Sequence, residues 1–399
     1  MPTPKRTDTG RNGRPVVVDI DTHVYEPTAV WTKYLDRSYR VAARSVFWHE
    51  VDARGLEVIV LNGRAGRSLQ RNGINRQACW HPGLTPEDIG RLDPETTHPI
   101  TPGAQKASAR LKDMDAMGVD RALLFPTLFA EHFPMVEDPD AAWALARAYN
   151  DWILDFSKAS PRRLLPVAVL PFQHQSFAVR ELERVAKKGF RAAFIRPSFF
   201  QGRFPNHPSY DPVWERLEAL SVAACVHPSP GSTNAEWTCS GPWVDRVAGN
   251  LRAGHPMAEA CAPFMDNSIF LTAVAFYGHM ERFPKLRLTL VHSGAAWVPL
   301  VLEKAETYLW LFSGIRDVSL EPDQVFFNRP SLVSFDSWEA PVARMPDVFG
   351  DVAAWGSRYP NHDTGTVEEA RATLRRYDVP EATVTKYLGG NALRHLGLA

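Results

Sequence analysis

The feature that most constrains the fold is a series of short apolar or β-branched segments, each ending in a polar or proline-containing turn. Most of them are followed by residues with helical periodicity. Runs this apolar along their length are typical of strands buried on both faces, as in a parallel sheet covered by helices. The eight predicted strands are residues 16–20, 121–125, 165–170, 191–195, 222–226, 286–291, 331–335 and 352–355.

Amphipathic segments between these strands predict helices. Residues 138–158 carry large apolar side chains at three- to four-residue spacing, and residues 175–188 show a similar pattern. Residues 212–220 open with Pro212 directly after Asp211, which is a favourable helix start. Eight strands with intervening helices predict an α/β fold, a closed (β/α)₈ TIM barrel. The alternative is a doubly wound open sheet.

Two long interruptions break the regular spacing of strands and helices, at about residues 28–107 and 228–270. Loops of this length inside a compact domain are usually functional. We therefore expect two long loop insertions over the active-site face of the barrel. Their tryptophans either wall an apolar pocket or pack as hydrophobic filling. These are Trp48, Trp80, Trp237 and Trp243.

The 399 residues predict one decorated domain at residues 15–399, preceded by a disordered basic tail at residues 1–14. The alternative for the tail is an anion-binding arm. Forty-five basic residues balance forty-five acidic ones, which disfavours nucleic acid and anionic membranes and favours a small-molecule ligand. Four cysteines are too few for a disulfide framework, and no signal peptide or transmembrane run is present, so we expect a cytoplasmic protein.

Polar residues follow the predicted strands at the positions where a TIM barrel carries its active site. The first strand is followed by Asp21, His23 and then Glu26, and the fourth by Arg196. Later strands end at four further candidates, which are His227, His292, Asp336 and Arg358.

A carboxylate and three imidazoles among these residues predict a metal site. Asp21 and His23 lie two residues apart on an extended segment and project to the same side, and His227 and His292 arrive from strands five and six. Such ligands suit Zn²⁺, our first choice, and also Mn²⁺ or Fe²⁺, with an open position for water or substrate. The alternatives are structural histidines and an Asp21 that caps a turn.

Each of three further residues allows two interpretations. Asp336 is a candidate general base, or the end of a strand that closes in an Asx turn. His174, after strand three, touches substrate or is a solvated loop residue. Cys225 points into the barrel, where we expect a small core residue rather than a nucleophile.

These residues, with several longer motifs, resemble the amidohydrolase-related family of metal-dependent barrels. This family contains aminocarboxymuconate semialdehyde decarboxylase and the resorcylate and carboxyvanillate decarboxylases. The resemblance covers nearly the whole chain. It rests on residues 19–27, 111–120, 226–228, 282–286, 292–295, 355–360 and 388–394.

The resemblance implies a mononuclear metal held by the first-strand pair, the strand-five histidine and a strand-eight aspartate, with the strand-six histidine as ligand or acid/base. This chain departs from that pattern because Arg358 stands at the aspartate position. An arginine stays protonated and cannot bind a metal. Either Asp363 or Asp336 replaces the missing carboxylate, Arg358 clamps a substrate carboxylate, or the site has lost its metal chemistry.

We therefore expect an enzyme that decarboxylates, otherwise cleaves or hydrolyses a small, carboxylated aromatic or conjugated substrate. Asp21, His23 and His227 would hold the metal, His292 would move a proton, and Arg358 or Arg196 would fix the substrate's anionic group. The alternative is a metal-free barrel that serves as a binding or accessory protein. Similarity to the family further suggests a homodimer.

Overall fold

The computed structural model describes residues 10, 13–51, 57–66, 78–92, 99–228, 238–247, 254–312, 321 and 323–398. Within these residues, eight parallel strands form one sheet in chain order, the order of a TIM barrel. We number them β1 to β8. Their ranges are Val18–His23, Arg121–Phe125, Leu164–Val169, Ala192–Ile195, Ala223–Val226, Leu288–Leu290, Ser331–Phe335 and Ala353–Trp355.

All eight predicted strands correspond to observed ones, and their bounds differ by a few residues at most. The largest difference is at β1, which was predicted at residues 16–20 and instead continues to His23. Every residue of β1 is buried, and the strand pairs in parallel with β2 through Thr22 and His23. The polar Asp21–His23 segment is therefore strand rather than the turn after it.

The chain after β8 brings the two edges of the sheet together. The Arg358 N–H donates to Asp21 O at 2.8 Å, and the His23 N–H donates to Tyr359 O at 2.6 Å. The Ser357 N–H donates to Asp19 Oδ1 at 2.9 Å. The sheet is thus nearly closed into a barrel, which places the end of β8 beside the end of β1.

Helices surround the sheet. The helices predicted at residues 138–158, 175–188 and 212–220 are observed as α6 (Pro139–Ser157), α7 (Gln175–Lys187) and α8 (Asp211–Leu220). Of these, α6 begins after Asp138, whose side chain accepts from the Asp140 and Ala141 N–H groups. In the part of the chain that the structure describes, α1 to α17 are Ala29–Lys33, Arg40–Val46, Pro86–Gly90, Ala107–Met117, Leu128–His132, Pro139–Ser157, Gln175–Lys187, Asp211–Leu220, Gly241–Arg246, Gly254–Phe276, His279–Arg282, Trp297–Leu311, Ala340–Arg344, Pro346–Phe349, Val367–Arg376, Glu381–Thr385 and Asn391–Leu396.

The first predicted insertion contains regular structure. Three segments pair as a small antiparallel sheet, Phe47–Val51, Glu57–Leu61 and Arg64–Gly66. The turn between the last two is Asn62-Gly63, with positive φ at both residues, which is the preferred two-residue hairpin turn. Further along, the Trp80 N–H donates to Pro360 O at 3.0 Å, so this part of the insertion contacts the loop after β8.

The second predicted insertion is partly helical, since α10 occupies its last seventeen positions and continues to Phe276. Residues 229–237 and 248–253 of this insertion, Trp237 included, lie outside the described part of the chain. Of the predicted basic tail, residues 1–9 and 11–12 also lie outside it. Arg14 pairs with Asp120 at 3.1 Å, so the tail joins the barrel at that residue. None of the described helices has the length and apolar character to cross a membrane.

Candidate metal centre

Four side chains meet at the carboxyl ends of β1, β5 and β6. They are Asp21 and His23 on β1, His227 directly after β5 and His292 two residues after β6, and all four are buried. Asp21 Oδ1 lies 3.4 Å from His23 Nε2 and 3.3 Å from His227 Nε2, and Asp21 Oδ2 lies 3.4 Å from His292 Nδ1. The structure thus brings together the four predicted ligands, which we call the metal cluster.

The spacing within the metal cluster fits ligands around one divalent ion. His23 Nε2 and His227 Nε2 are 3.2 Å apart, and one ligand atom from each of the four residues lies within 4.8 Å of the others. A tetrahedral site with metal–ligand distances of about 2.0–2.1 Å has edges of about 3.3–3.4 Å. Among the described residues, Asp21 Oδ1 and His292 Nδ1 are buried without a hydrogen-bond partner, which is rare for polar atoms unless a ligand completes them.

Two imidazoles are oriented by backbone carbonyl groups. His23 Nδ1 lies 3.3 Å from Pro126 O, and His227 Nδ1 lies 2.6 Å from Pro228 O. A proton on each Nδ1 donates to the carbonyl oxygen and leaves the Nε2 lone pair directed at the cluster. This is the usual outer-shell arrangement of metal-binding histidines.

The protonation states also suit a metal. Burial lowers the pKa of His227 to about 3, so this imidazole is neutral, as a ligand must be. Burial alone would raise the pKa of the Asp21 carboxyl, but its contacts with His227, His23 and His292 hold that pKa well below the usual value. Asp21 is therefore a carboxylate at neutral pH.

Neighbouring elements fix the ligands of β1. Arg110 on α4 is buried, donates to Thr22 Oγ1 at 3.1 Å and also donates to the His23 carbonyl oxygen. At Gly356, an added Cβ would lie 2.6 Å from Asp21 Cβ, so only glycine leaves room for the aspartate. Sequence reasoning missed Arg110, because a charged residue on an amphipathic helix ordinarily faces solvent.

The loop that carries His292 is tied to β7 and α10. His292 has a φ of 64°, in the left-handed region, and its N–H donates to Ser334 Oγ at 2.9 Å. The adjacent Val291 carbonyl accepts from Asn267 Nδ2 at 3.1 Å. These contacts hold the imidazole at the edge of the metal cluster.

Arg358 lies between two carboxylates and beside the metal cluster, since its backbone N–H donates to Asp21 O at 2.8 Å. Its Nη1 is 2.6 Å from Asp363 Oδ2 and its Nη2 is 2.9 Å from Asp336 Oδ2. We call these three residues the Arg358 cluster. Both residues proposed as replacement ligands, Asp336 and Asp363, are engaged with the guanidinium, and neither belongs to the group of atoms that can share a metal.

Two of the predicted substrate contacts lie elsewhere. Arg196 is fully buried and donates to the backbone oxygens of Ala130 and Glu131 at 3.1 and 3.0 Å. His174 is exposed and its Nδ1 lies 2.9 Å from Ser176 Oγ, as in the solvated-loop alternative. The structure brings neither side chain to the lining of the pocket described next.

A pocket of about 530 Å³, counted with its opening to solvent, contains three histidines of the metal cluster. Sequence reasoning missed Glu131, Glu259 and His362 on its walls, because Glu131 and His362 lie several residues beyond a strand end and Glu259 lies on α10. Asp336, Arg358, Cys225 and the described tryptophans of the insertions are not on its lining. The lining residues are His23, Pro126, Thr127, Ala130, Glu131, Phe194, His227, Pro228, Glu259, His292, Asn361, His362 and Asp363.

Cys225 is buried, and burial raises the pKa of its thiol to about 12. The thiol is therefore protonated at neutral pH and is a poor nucleophile. This agrees with its interpretation as a small core residue.

Comparison with known proteins adds a family and a fold. Residues 20–398 match the family model described as Amidohydrolase. Gamma-resorcylate decarboxylase from Rhizobium radiobacter is 28% identical over 193 residues, 46% of this chain and 54% of the relative. The chain thus spans about half the length of this curated relative.

Solved structures resemble the chain over nearly its whole length. An amidohydrolase from Mycobacterium avium subsp. paratuberculosis has a TM-score of 0.77 at 20% identity and covers 96% of this chain and 98% of its own. The 5-carboxyvanillate decarboxylase from Novosphingobium aromaticivorans has a TM-score of 0.66 at 18% identity, with full coverage of both chains. That structure holds manganese and 4-hydroxy-3-methoxy-5-nitrobenzoic acid. At these identities, the structural likeness shows the fold alone.

Proposed function

Because the chain belongs to the amidohydrolase family, we propose that it is a metal-dependent enzyme that removes the carboxyl group of a small aromatic carboxylate. The observation that carries the proposal is the metal cluster, in which three imidazoles surround one buried carboxylate. The names of the relatives support decarboxylation over hydrolysis, because gamma-resorcylate and 5-carboxyvanillate decarboxylases act on aromatic carboxylates.

Asp21, His23 and His227 would hold the metal, with His292 at its edge. A divalent metal there would supply Lewis acidity toward the oxygens of the substrate. Zn²⁺ suits a histidine-rich ligand set, and Mn²⁺ is the ion that the carboxyvanillate decarboxylase structure contains. Asp21 would contribute the only negative charge of the four ligands, so the positive charge of a dication would be only partly neutralised. This favours an anionic substrate.

The proton in the reaction is assigned to His292, which lines the pocket. When the bond between the ring and the carboxyl carbon breaks, CO₂ leaves and the electron pair stays on the ring carbon. His292 then delivers a proton to that carbon, as a positioned general acid. Asp21 Oδ2, 3.4 Å from His292 Nδ1, would stabilise the protonated imidazole before the transfer.

Arg358 is not assigned to the substrate, because its guanidinium is already bound to Asp336 and Asp363. The guanidinium is partly buried, and the two carboxylates compensate its charge. In the proposal, Arg358 stands at the position of the aspartate ligand that the resemblance implies, and it pairs with Asp336 and Asp363 instead of binding the metal.

Arg358 also motivates a second candidate function, a metal-free barrel that binds a ligand. An arginine at the strand-eight position removes a metal ligand that the resemblance implies. The two candidates differ in metal content, and they differ in whether substrate is consumed.

The test is to load the purified protein with Zn²⁺ or Mn²⁺ and to measure CO₂ release from 2,6-dihydroxybenzoate, 5-carboxyvanillate and unsubstituted benzoate. We expect release from at least one compound, and we expect chelation to abolish it. Binding of these compounds without release, at any metal load, would favour the second candidate. Light scattering of the same sample tests the expected homodimer.

A further inference from the structure

The pocket is lined by three acidic residues besides the histidines of the metal cluster. Its lining includes Glu131, Glu259 and Asp363, and among the described residues it includes neither lysine nor arginine. Asp363 is paired with Arg358 at 2.6 Å, which accounts for its charge. Glu131 has no part in the proposed proton transfer or metal binding, so its presence in this pocket needs a separate explanation.

Glu131 lies on α5, a short helix that two buried charged residues hold at its ends. At the amino end, Glu26 accepts from the N–H groups of Thr127 and Leu128 at 2.9 and 3.1 Å. At the carboxyl end, Arg196 donates to the carbonyl oxygens of Ala130 and Glu131 at 3.1 and 3.0 Å. Helix α5 is therefore fixed from the ends of β1 and β4, and Glu131 is presented by a rigid element.

One carboxylate oxygen of Glu131 lacks a hydrogen-bond donor among the described residues. The residue is only 3% exposed, and its Oε1 has no hydrogen-bond partner among the residues that the structure describes. Leaving a buried acceptor without a donor costs free energy, and it costs more when the acceptor is charged. Such a group in a pocket wall is explained if a bound molecule supplies the donor.

We propose that Glu131 selects the substrate by accepting, at Oε1, a hydrogen bond from a donor substituent on the aromatic ring. The substituent is a hydroxyl or an amino group, which share this chemistry. The inference rests on the proposed function, since the carboxylate end of the same molecule meets the metal cluster. Arg196 and Glu26 act as positioning residues, because they hold α5 and do not line the pocket.

A ring that lacks a donor leaves Glu131 desolvated and unpaired. Sites built to hydrogen-bond a substrate hydroxyl discriminate strongly against analogues without it. A methoxy group is the sharpest comparison, because it occupies similar space and accepts hydrogen bonds but cannot donate one. For a single hydrogen bond to a charged group, we expect discrimination of about 10- to 100-fold in Kd.

The experiment measures Kd by calorimetry for metal-loaded wild type, Glu131→Leu, Glu131→Gln and the matched control Glu137→Gln, whose residue is exposed. The probes are benzoate and the ortho, meta and para isomers of hydroxy-, amino-, aminomethyl- and methoxybenzoate. Wild type and Glu137→Gln should bind at least one hydroxy or amino isomer 10-fold or more tightly than its methoxy counterpart. In Glu131→Leu, this ratio should fall below about 2-fold, and benzoate should bind at least as tightly as it does to wild type, because no unpaired carboxylate remains beside the ring.

Two further measurements complete the experiment. The first distinguishes neutral from cationic donor groups, and the second tests whether Glu131 has only a structural role. Glu131→Gln keeps a neutral acceptor, so a hydroxyl or ring-amino preference should be partly retained, whereas preference for the cationic aminomethyl group should be lost. The melting temperature of both variants should be unchanged or raised, because Oε1 of the carboxylate has no donor among the described residues. A lowered melting temperature with an unchanged binding ratio would mean a structural residue and would overturn the proposal.

Two outcomes distinguish this inference from the proposed function. Wild type that binds benzoate without any preference for donor groups would overturn the role of Glu131 and leave the decarboxylase proposal standing. Metal-loaded wild type that binds none of the benzoates would contradict both.

Discussion

The metal cluster and the Arg358 cluster are neighbours at the barrel mouth, and they compensate their charges in opposite ways. Asp21 is surrounded by imidazole nitrogens at 3.3–3.4 Å, with one carboxylate oxygen left without a hydrogen bond among the described residues. Arg358 instead donates to Asp363 and Asp336 at 2.6 and 2.9 Å. The metal cluster therefore requires a cation from outside the protein, whereas the Arg358 cluster already contains one in the guanidinium. The following predictions test this difference, beginning with the largest expected effect.

The largest effect is expected from the double variant His23→Ala/His227→Ala. Loss of two of the converging nitrogens should remove the bound metal and reduce decarboxylation by about 10³-fold or more, because the Lewis acid contributes several kcal/mol. Metal content and turnover are measured together. His174→Ala is the control, since that histidine is exposed and outside the pocket lining. Full activity in a metal-free double variant would show that the metal cluster is not the reacting centre.

Replacing Arg358 by methionine should chiefly affect stability. It leaves two partly buried carboxylates facing each other, and breaking a buried ion pair from one side costs about 3–5 kcal/mol at most. The matched control is Lys386→Met, which removes an exposed pair with Asp351 at 2.9 Å and should cost less than about 1 kcal/mol. Denaturant unfolding measures both. Equal costs would mean that the Arg358 cluster contributes no more than a surface pair.

A methyl group at Gly356 should weaken the metal cluster without touching a ligand. The added Cβ would lie 2.6 Å from Asp21 Cβ and push the carboxylate out of place. Displaced ligands typically lose about 10- to 100-fold in metal affinity, which a competition titration with a chromogenic chelator measures. Gly90→Ala is the control, because its added Cβ meets nothing within 4 Å. Wild-type affinity in Gly356→Ala would remove Asp21 from the ligand set.

The smallest effects are expected from the two carboxylates of the Arg358 cluster, and they should be unequal. Burial would raise the pKa of Asp363, but Arg358 holds it well below the usual range, whereas burial raises the pKa of Asp336. Asp363→Asn should therefore cost about 1–3 kcal/mol of unfolding free energy, and Asp336→Asn should cost less. Neither should change metal content. A larger cost for Asp336→Asn would reverse the assignment of the stronger pair.

The barrel could be predicted because buried parallel strands are continuously apolar, and a continuous apolar run can be identified from a short stretch of sequence. Sequence reasoning failed where other signals dominate. The helix α10 is apolar on nearly all sides and contains Pro263, so it shows no amphipathic period, and its residues 254–270 were assigned to a loop insertion. In contrast, the hairpin at Asn62-Gly63 had a recognisable turn signal that was not used.

The candidate site was predictable to the extent that its residues end strands. Asp21, His23, His227 and His292 were found this way, and the structure brings them together. The contacts of Arg196 and the pocket position of Glu131 could not be predicted from the sequence, because both depend on which partner a side chain meets across the fold. Arg196 is a strand-end arginine that holds backbone carbonyls. Glu131 belongs to a helix whose orientation only the barrel defines.

The most direct test of the account is the metal content of purified wild type beside Arg358→Asp, measured by elemental analysis. We predict about one equivalent of divalent metal per chain in the wild type, because the metal cluster is complete without a strand-eight ligand. Wild type without metal, together with uptake by Arg358→Asp, would contradict the account. It would show that Arg358 disables the site, and the metal-free binding function would replace the decarboxylase.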